Sequence, residues 1–253
     1  MERRFGLLLL LLVACAPSAK ERPLTVAAAA SLGEVVRDAA ESFHAQGGGQ
    51  QPVLIFEASS TLARQIGEGA SVDVFLSADR ENLVRAGRRV GVAGAAVFLV
   101  NELVLAVRAD DRDVPRDPAA FAESGLTLGL AGEEVPAGRY ARDYLRELGL
   151  WDRFEGRVAL GNNVRATLAL LESGAVRGAF VYRTDAVAAG PRIAIAHVAP
   201  RESVPVVYFA ASVETRPGAP SHPDTAPFLA YLRSAEFGQH AAARGFVAPT
   251  GSH

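Results

Sequence analysis

Serine residues follow two of the predicted strands at the point where a helix begins. The apolar run 24–29 leads into Ser31, and the apolar run 53–56 leads into Ser59 and Ser60. The first turn of a helix carries unpaired N–H groups and a partial positive charge, and serine hydroxyls add further donors. The two turns therefore predict an anion site that needs no cationic side chain.

The same serines also have a purely structural interpretation. A serine at the start of a helix commonly accepts a hydrogen bond from a backbone N–H and so caps the helix. For Ser31 and Ser60, capping is the alternative. Two such turns in one half of the chain, each directly after an apolar strand, favour the anion site. The pattern does not identify the anion.

Strands and helices alternate along the chain, and this order must position the serine turns. The predicted strands are 24–29, 53–56, 72–76, 101–108, 126–130, 158–160, 178–182, 192–197 and 204–213. The predicted helices are 31–44, 60–67, 79–86, 137–148, 164–172 and two segments within 225–244. Such alternation is typical of α/β proteins with parallel sheets covered on both faces.

Two alternating sets with a helical tail predict two lobes joined by crossing strands. We assign residues 24–101 to the first lobe, residues 102–204 to the second, and residues 205–253 to the return into the first. Ligands of such sheets bind beyond the carboxyl ends of the strands. The ligand cleft is therefore expected between the lobes.

Composition excludes some classes of function. The 253 residues carry a net charge of −2, whereas a nucleic-acid partner would normally require a basic surface. The five histidines lack metal-ligand spacing. Asp73 and Asp79 flank Ser77 around a strand–helix turn, where helix capping is the expected role. An anionic ligand must therefore be held by a local site and not by bulk attraction.

The N-terminus has the pattern of an export signal. Two arginines precede the leucine run 7–12, and small residues follow, a stretch too short for a membrane span. Residues 12–15 resemble a bacterial lipobox that ends at Cys15, the only cysteine. We predict a lipoprotein signal peptide at 1–14, a lipid anchor on Cys15 and a tether at 15–23. Cleavage to give a free periplasmic protein is the alternative.

Several short motifs occur in one order between Leu24 and Phe246. They are residues 28–32, 58–66, 73–79, 135–141, 163–165, 181–182, 185–186 and 244–246. Each motif is weak alone, but the ordered set resembles the signatures of the periplasmic molybdate-binding proteins of bacterial ABC transporters. This resemblance covers nearly the whole chain after the tether.

The resemblance implies a type II periplasmic-binding-protein fold, in which two α/β lobes close over a tetrahedral dianion. By position in the motifs, the ligand contacts of the first lobe are Ser31 and Ser59, each through its hydroxyl and backbone N–H. The opposite lobe contributes the backbone N–H groups of Ala137 and Val164 and the phenol of Tyr182. Molybdenum is thus held as an oxyanion, without direct metal-ligand side chains.

These implied contacts agree with the residue types. Ala137 and Val164 have no polar side chain, so only their main chain can bind, and both begin predicted helices. Pro136 precedes them at a position where a proline sacrifices no helical hydrogen bond. The alternatives are an ordinary turn at 136–138 and, for Tyr182, a core aromatic whose hydroxyl reaches water.

Charged residues lie close to these positions in the sequence. Arg64, Arg139 and Arg165 are expected to be solvated or paired with acids such as Asp143, because the family uses neutral donors. Glu57 departs from the family, which more often has a small residue there. In the cleft it would repel a dianion, or accept the proton of a phosphate; alternation along its strand favours an orientation away from the cleft.

We predict a non-enzymatic, monomeric solute-binding component of a molybdate ABC transporter. It captures molybdate, and tungstate as well, by hydrogen-bond donors and hinge closure, with no cofactor and no nucleic acid. Its partners are an ABC permease with its ATPase and the membrane, at the periplasmic or extracytoplasmic face. The alternatives are another ligand (sulfate, phosphate or an organic acid) and a dehydratase-like enzyme, for which Glu57 is the only acid near the site.

Overall fold

The computed structural model describes residues 22–214, 218 and 220–247. The predicted signal peptide and the anchor residue Cys15 lie outside the described residues. Within the described part of the chain, no helix is both long and apolar enough to cross a membrane.

The strands of the described residues form two five-stranded sheets. In chain order they are β1 (Thr25–Ala29), β2 (Val53–Glu57), β3 (Val74–Ser77), β4 (Gly91–Asn101), β5 (Leu103–Arg108), β6 (Leu128–Ala131), β7 (Val158–Gly161), β8 (Gly178–Tyr182), β9 (Ile193–Val198) and β10 (Val206–Glu214). The strand orders are β2-β1-β3-β10-β4 in one sheet and β7-β6-β8-β5-β9 in the other. We call the parts of the chain built on these two sheets lobe 1 and lobe 2.

Helices pack on both sheets. They are α1 (Gly33–Ala45), α2 (Ser59–Gly67), α3 (Arg80–Gly87), α4 (Pro118–Glu123), α5 (Pro136–Glu147), α6 (Val164–Glu172), α7 (Arg183–Ala188), α8 (Thr225–Tyr231) and α9 (Ala235–Ala243). Short 3-10 turns lie at Ala30–Leu32, Trp151–Phe154 and Gly190–Arg192. The predicted two-lobed α/β fold is confirmed, whereas the predicted lobe boundaries stay predictions.

The sheets are mixed: the predicted parallel arrangement is confirmed for β1, β2 and β3 but does not extend to the strands that cross between the lobes. Strand β1 runs parallel to β2 and β3, but β10 runs antiparallel to β3 and β4. Likewise β6 is parallel to β7 and β8, whereas β5 is antiparallel to β8 and β9. The reason is the crossing of the chain: β4 leaves lobe 1 at the edge where β10 enters it, so β10 must run in the opposite direction.

The sequence pattern did not predict β4, α4 and α7, and it gave the wrong burial for β2. Strand β4 begins with glycine, valine and alanine residues and is largely exposed at its start, so no alternation marks where it begins, and its apolar second half at 97–100 was not assigned to a strand. Helices α4 and α7 have only six residues each, too few to show a helical period. Strand β2 was predicted to be buried, but it is an edge strand whose side chains alternate between exposed and half-buried.

The core holds β1 and α1 in fixed positions beside the cleft. The side chains of β1 after Thr25 are buried, and their small size lets helices approach the sheet closely. Helix α1 buries the predicted apolar face, which consists of Val35, Val36, Ala39, Ala40 and Phe43. The carboxyl end of β1, and with it the first serine turn, is therefore rigidly placed.

Candidate anion-binding site

A small cavity lies between the lobes, at the carboxyl ends of β1, β2 and β8. The residues that line it are Ala29, Ala30, Ser31, Ala58, Ser59, Ala78, Val135, Pro136, Ala137, Asn163, Val164 and Tyr182. The space open to the centre of a water molecule is about 10 Å³, enough for one small species. None of these lining residues is charged. All five residues predicted as ligand contacts line this cavity and are buried, although their role as ligands stays a prediction.

Lobe 1 presents two helix starts to the cavity. Ser31 lies in the 3-10 turn directly after β1, and the Gly33 N–H at the end of that turn donates to the carbonyl of Ala30. Ser59 is the first residue of α2, whose first hydrogen bond is donated by the Leu62 N–H to Ala58. The N–H groups that precede these donors have no acceptor within the helix.

The two serine hydroxyls do not cap the helices in which they lie. No side chain caps either helix start, and the N-cap position of α2 is Ala58. The Ser31 Oγ lies 2.9 Å from the Tyr208 hydroxyl, and the Ser59 Oγ accepts a hydrogen bond of 3.0 Å from the Ala78 N–H. Ser60 lies inside α2 and does not cap it either, so the capping interpretation of Ser31 and Ser60 is wrong. Because Ser59 accepts from Ala78, its own proton is free to be donated into the cavity.

Helix α5 of lobe 2 presents backbone donors to the cavity. Pro136 is its first residue, and its first backbone hydrogen bond is donated by the Arg139 N–H to Val135. The N–H groups of Ala137 and Gly138 thus lack an acceptor within the helix. A Cβ atom on Gly138 would lie 2.2 Å from the carbonyl oxygens of Ala131 and Gly132. Only glycine allows this close approach of the helix to the end of β6.

Helix α6 contributes the Val164 N–H in the same way. Its N-cap residue, Asn163, accepts hydrogen bonds from Ala166 through its side chain and from Thr167 through its carbonyl oxygen. The N–H of Val164 lies before both donors and stays without a helical partner. The cap thus fixes the helix while leaving its first donor available.

Tyr182 ends β8 with a hydroxyl that is buried in the cavity wall. Among the described residues this hydroxyl has no hydrogen-bond partner. Burial raises the pKa of Tyr182 well above its ordinary value, so the phenol stays a neutral proton donor at physiological pH. The alternative of a core tyrosine whose hydroxyl reaches water does not fit this buried oxygen. An unpaired buried donor costs about 1–3 kcal/mol, and an anion acceptor in the cavity would remove that cost.

The nearby arginines are paired or solvated, as predicted, and none of them lines the cavity. Arg64 lies at the surface, 3.9 Å from Glu68. Arg139 pairs with Asp79 and, at 3.2 Å, with Glu81. The named partner Asp143 was wrong, because Asp143 pairs with Arg146 in its own helix.

Ion pairs connect the two lobes around the cavity. Arg165 of α6 pairs with Glu34 of α1 and also lies 2.9 Å from the buried Asp185. Burial raises the pKa of Asp185 to about 6, and the nearby Arg165 opposes this shift. On another side of the cleft, Arg85 of α3 lies 2.8 Å from Glu134, just before α5. With the Arg139–Asp79 pair, three arginines join lobe 1 to lobe 2.

The acidic residues singled out in the sequence lie outside the cavity. Glu57 is exposed and does not line the cavity, which confirms its expected orientation. Asp79 caps α3 by accepting from the Asn82 N–H, as predicted. Asp73 caps no helix: it pairs with Arg22 and accepts from the Thr25 N–H. The described residues contain no group of three or more potential metal ligands.

Sequence reasoning missed a polar chain behind the cavity. The Tyr208 hydroxyl connects Ser31 to Asn101, and Asn101 also donates to Thr184. These partners are separated by up to 177 residues in sequence, so no local spacing predicts their contact. The local sequence offers one weak indication of this chain: Asn101 ends the apolar part of β4, and Tyr208 lies within the apolar strand β10.

Known proteins resemble this chain in both sequence and fold. Residues 24–247 match the family described as bacterial extracellular solute-binding protein. The molybdate-binding protein ModA of Haemophilus influenzae is 35% identical over 83% of this chain and 84% of its own length. The protein of the same name from Escherichia coli is 38% identical over 67% of this chain and 69% of its own length.

A solved structure extends this similarity to the fold. The periplasmic molybdate-binding protein of Azotobacter vinelandii superimposes with a TM-score of 0.77, at 20% sequence identity, over 90% of this chain and all of that protein. The two-lobed architecture is thus shared, and the family match spans both lobes. This chain belongs to the bacterial extracellular solute-binding proteins.

Proposed function

We propose that this chain is the solute-binding component of a molybdate ABC transporter. The observation that carries this proposal is the chemistry of the cavity, which is lined by uncharged residues and is rich in hydrogen-bond donors. Backbone N–H groups of four helix starts, two serine hydroxyls and one phenol converge on it. The relatives from Haemophilus influenzae and Escherichia coli are both named as molybdate-binding proteins, which supports the same ligand here.

A donor-only cavity suits a fully deprotonated oxyanion. Such an anion accepts every hydrogen bond that it is offered, and the helix starts add partial positive charge. A protonated anion such as hydrogen phosphate also needs an acceptor, because otherwise its proton is buried without a partner. Among fully deprotonated dianions, size then discriminates: molybdate and tungstate are similar, and sulfate is smaller.

Hinge closure explains how neutral donors hold a dianion. Ser31 and Ser59 belong to lobe 1, whereas Ala137, Val164 and Tyr182 belong to lobe 2. An anion that binds first to the serines recruits the second set when the lobes close. Closure removes water, and the lower local dielectric constant strengthens each hydrogen bond.

The proposal includes the setting in which the protein works. The family is extracellular by description, and the motif at Cys15 favours a lipid-anchored protein at the periplasmic or extracytoplasmic face of the membrane. Its partners are an ABC permease and the ATPase of that permease. No carboxylate, histidine or lysine lines the cavity, which supports a binding role.

Calorimetric titration of the full chain tests the ligand. We expect molybdate and tungstate to bind at least about tenfold more tightly than sulfate or phosphate, a difference of 1.4 kcal/mol or more. Ser59→Ala removes one donor to a charged ligand and should weaken molybdate binding by about tenfold or more, while the thermal melting of the ligand-free protein stays cooperative.

Glu57→Gln is the matched control, because Glu57 lies two residues from Ser59 but is exposed and outside the cavity. Its molybdate affinity should equal that of the wild type. Sulfate binding that is as tight as molybdate binding would reject molybdate as the ligand. Phosphate binding that is tighter than both would reject the donor-only account of the cavity.

A further inference from the structure

A chain of buried polar side chains runs from the cavity to the crossing between the lobes. The Ser31 Oγ lies 2.9 Å from the Tyr208 hydroxyl. The Asn101 Nδ2 donates to the Tyr208 hydroxyl at 3.2 Å and to the Thr184 Oγ1 at 2.9 Å. All four side chains are buried. Ser31 is the only one of the four that lines the cavity.

The direction of the hydrogen bonds follows from the amide of Asn101. Its Oδ1 accepts from the Glu102 N–H at 2.9 Å, which fixes the orientation of the amide and turns the Nδ2 towards Tyr208 and Thr184. An amide nitrogen can only donate, so the Tyr208 oxygen is an acceptor in this contact.

Tyr208 must then donate to Ser31. A phenol has one proton, and Ser31 is its remaining partner among the described residues. If Tyr208 accepted from both neighbours, its own proton would be unpaired in the core, which is costly. Burial raises the pKa of Tyr208 far above its ordinary value, so this proton is present at every physiological pH. Ser31 therefore accepts from Tyr208 and keeps its own proton for the cavity.

Ser59 is held in the same state by a different group. Its oxygen accepts from the Ala78 N–H, and its proton is likewise left for the cavity. Two unrelated contacts thus each use one of the two acceptor positions of a serine oxygen. The cavity consequently contains hydroxyl donors whose oxygen atoms already accept a hydrogen bond from the protein.

We propose that Tyr208 is a positioning and specificity-determining residue, which favours Ser31 as a donor to the cavity and thereby disfavours anions that carry a proton. The proposal rests on the function proposed above and adds a residue that does not touch the ligand. Without the Tyr208 hydroxyl, the Ser31 hydroxyl can turn freely, and its oxygen accepts more readily from a ligand. Hydrogen phosphate would then find an acceptor more readily than in the wild-type cavity.

The variant Tyr208→Phe tests this role with little change in packing, because the ring contacts with Tyr182 and Phe246 can remain. We expect molybdate affinity to fall about tenfold, while phosphate affinity stays equal or rises, so that the preference for molybdate over phosphate falls by tenfold or more. A general structural defect would lower both affinities together. That result would overturn the proposal.

Tyr231→Phe is the matched control. Tyr231 is also buried in lobe 1 and also hydrogen-bonded, to Glu236 at 3.3 Å, but it does not contact the polar chain. Both affinities should remain at wild-type values in this variant. Circular dichroism and thermal melting of each variant establish that it is folded.

A double-mutant cycle with Ser31→Ala shows whether Tyr208 acts through Ser31. In the Ser31→Ala background, Tyr208→Phe should have no further effect on either anion. An equal effect of Tyr208→Phe in both backgrounds would show that Tyr208 does not act through Ser31, which contradicts the proposal. If Tyr208→Phe fails to fold, Asn101→Ala replaces it in the cycle: Tyr208 is then no longer forced to donate to Ser31, and we expect a smaller loss of preference that also vanishes without the Ser31 hydroxyl.

The wild-type titrations separate this proposal from the proposed function. If sulfate binds more tightly than molybdate, molybdate is rejected as the ligand, and the cycle is measured with sulfate against phosphate. A reduced preference for sulfate over phosphate in Tyr208→Phe would still support the positioning role of Tyr208. A wild-type chain that binds none of these anions overturns both proposals.

Discussion

The hydroxyl of Tyr182 is a donor whose acceptor must come from outside the described protein residues. It is buried without a partner, and its neutral state is favoured by the same burial. A buried orphan donor destabilises the ligand-free closed protein. The Tyr182 hydroxyl thus lowers the stability of the ligand-free protein and supplies a donor for ligand binding.

Tyr182→Phe should therefore affect stability and binding in opposite directions. The free energy of unfolding without ligand should stay the same or rise by up to about 1–3 kcal/mol, because the orphan hydroxyl is removed. Molybdate affinity should fall by about tenfold or more. Chemical denaturation and calorimetry measure the two quantities on the same sample.

Tyr144→Phe is the control for this variant. Tyr144 is also buried in lobe 2, but its hydroxyl lies 2.7 Å from the Nε2 of His197. Removing a paired hydroxyl should lower stability and leave molybdate affinity unchanged. Destabilisation by Tyr182→Phe of the same size as by Tyr144→Phe would contradict the account of Tyr182 as an orphan donor.

The sequence predicted the residues that line the cavity better than the residues that support them. Ser31 and Ser59 stand out because they follow strands, and the motifs point to Ala137, Val164 and Tyr182. Tyr208 supports Ser31 from a strand that is 177 residues away in sequence. Such a contact depends on tertiary packing, which no local pattern contains.

At the scale of elements, the site consists of helix starts. The first residues of α2, α5 and α6 line one cavity, and the caps of these helices leave their first N–H groups without a partner in the helix. Backbone donors do not depend on side-chain rotamers, and their positions are fixed by the packing of each helix on its sheet. This arrangement gives a rigid cage.

Val164→Pro removes one of these donors while keeping the helix. Proline is favoured at the first helical position, and the preceding Asn163 already has the extended backbone that a following proline requires. The cap and the later hydrogen bonds of α6 should persist. We expect molybdate affinity to fall by about 10- to 100-fold with little change in melting temperature.

Ala235→Pro is the matched control at the first position of α9. Its preceding residue, Ser234, is likewise extended and caps its helix, and Ala235 is exposed and does not line the cavity. Its affinity should equal that of the wild type. An unchanged affinity in Val164→Pro would show that the Val164 N–H does not bind the anion.

The sequence pattern predicted regular elements well where they are buried and periodic. The bounds of α6 and β8 agree with the prediction, because each is a clear apolar segment between polar or glycine-rich turns. It failed for β4, whose exposed first half consists of glycine, alanine and valine residues without alternation, and it did not reveal the direction of β10. The direction of β10 depends on where the chain crosses between lobes and is not encoded in its own residues.

At the scale of the whole molecule, closure brings together charges from both lobes. The chain has little net charge, yet three arginines pair across the cleft with acids of the other lobe. These pairs form around the cavity without lining it. They therefore favour the closed arrangement without contributing positive charge to the ligand cage itself.

A charge swap at Arg85 and Glu134 tests this contribution. Arg85→Glu or Glu134→Arg alone places like charges across the cleft, and we expect molybdate affinity to fall about two- to fivefold, as exposed ion pairs contribute less than about 1 kcal/mol. The double variant should regain most of the affinity. The loss should diminish at high salt, which screens exposed charges.

The pair Arg146–Asp143 provides the comparison within one lobe. It is similarly exposed and has a similar length of 2.9 Å, but both residues lie on α5. Arg146→Glu should leave molybdate affinity unchanged. If it weakens binding as much as Arg85→Glu, the effect of Arg85 is not due to closure of the lobes.

An anion in the cavity would be surrounded by residues of both lobes, most of which are buried. We therefore expect a competing anion in solution to displace it only slowly while the lobes are closed. The rate of departure is then the rate at which the lobes separate, whatever the concentration of competitor. Domain motions of this kind take microseconds to milliseconds or longer. The lifetime of the complex is thus governed by the contacts between the lobes as much as by the donors that hold the anion.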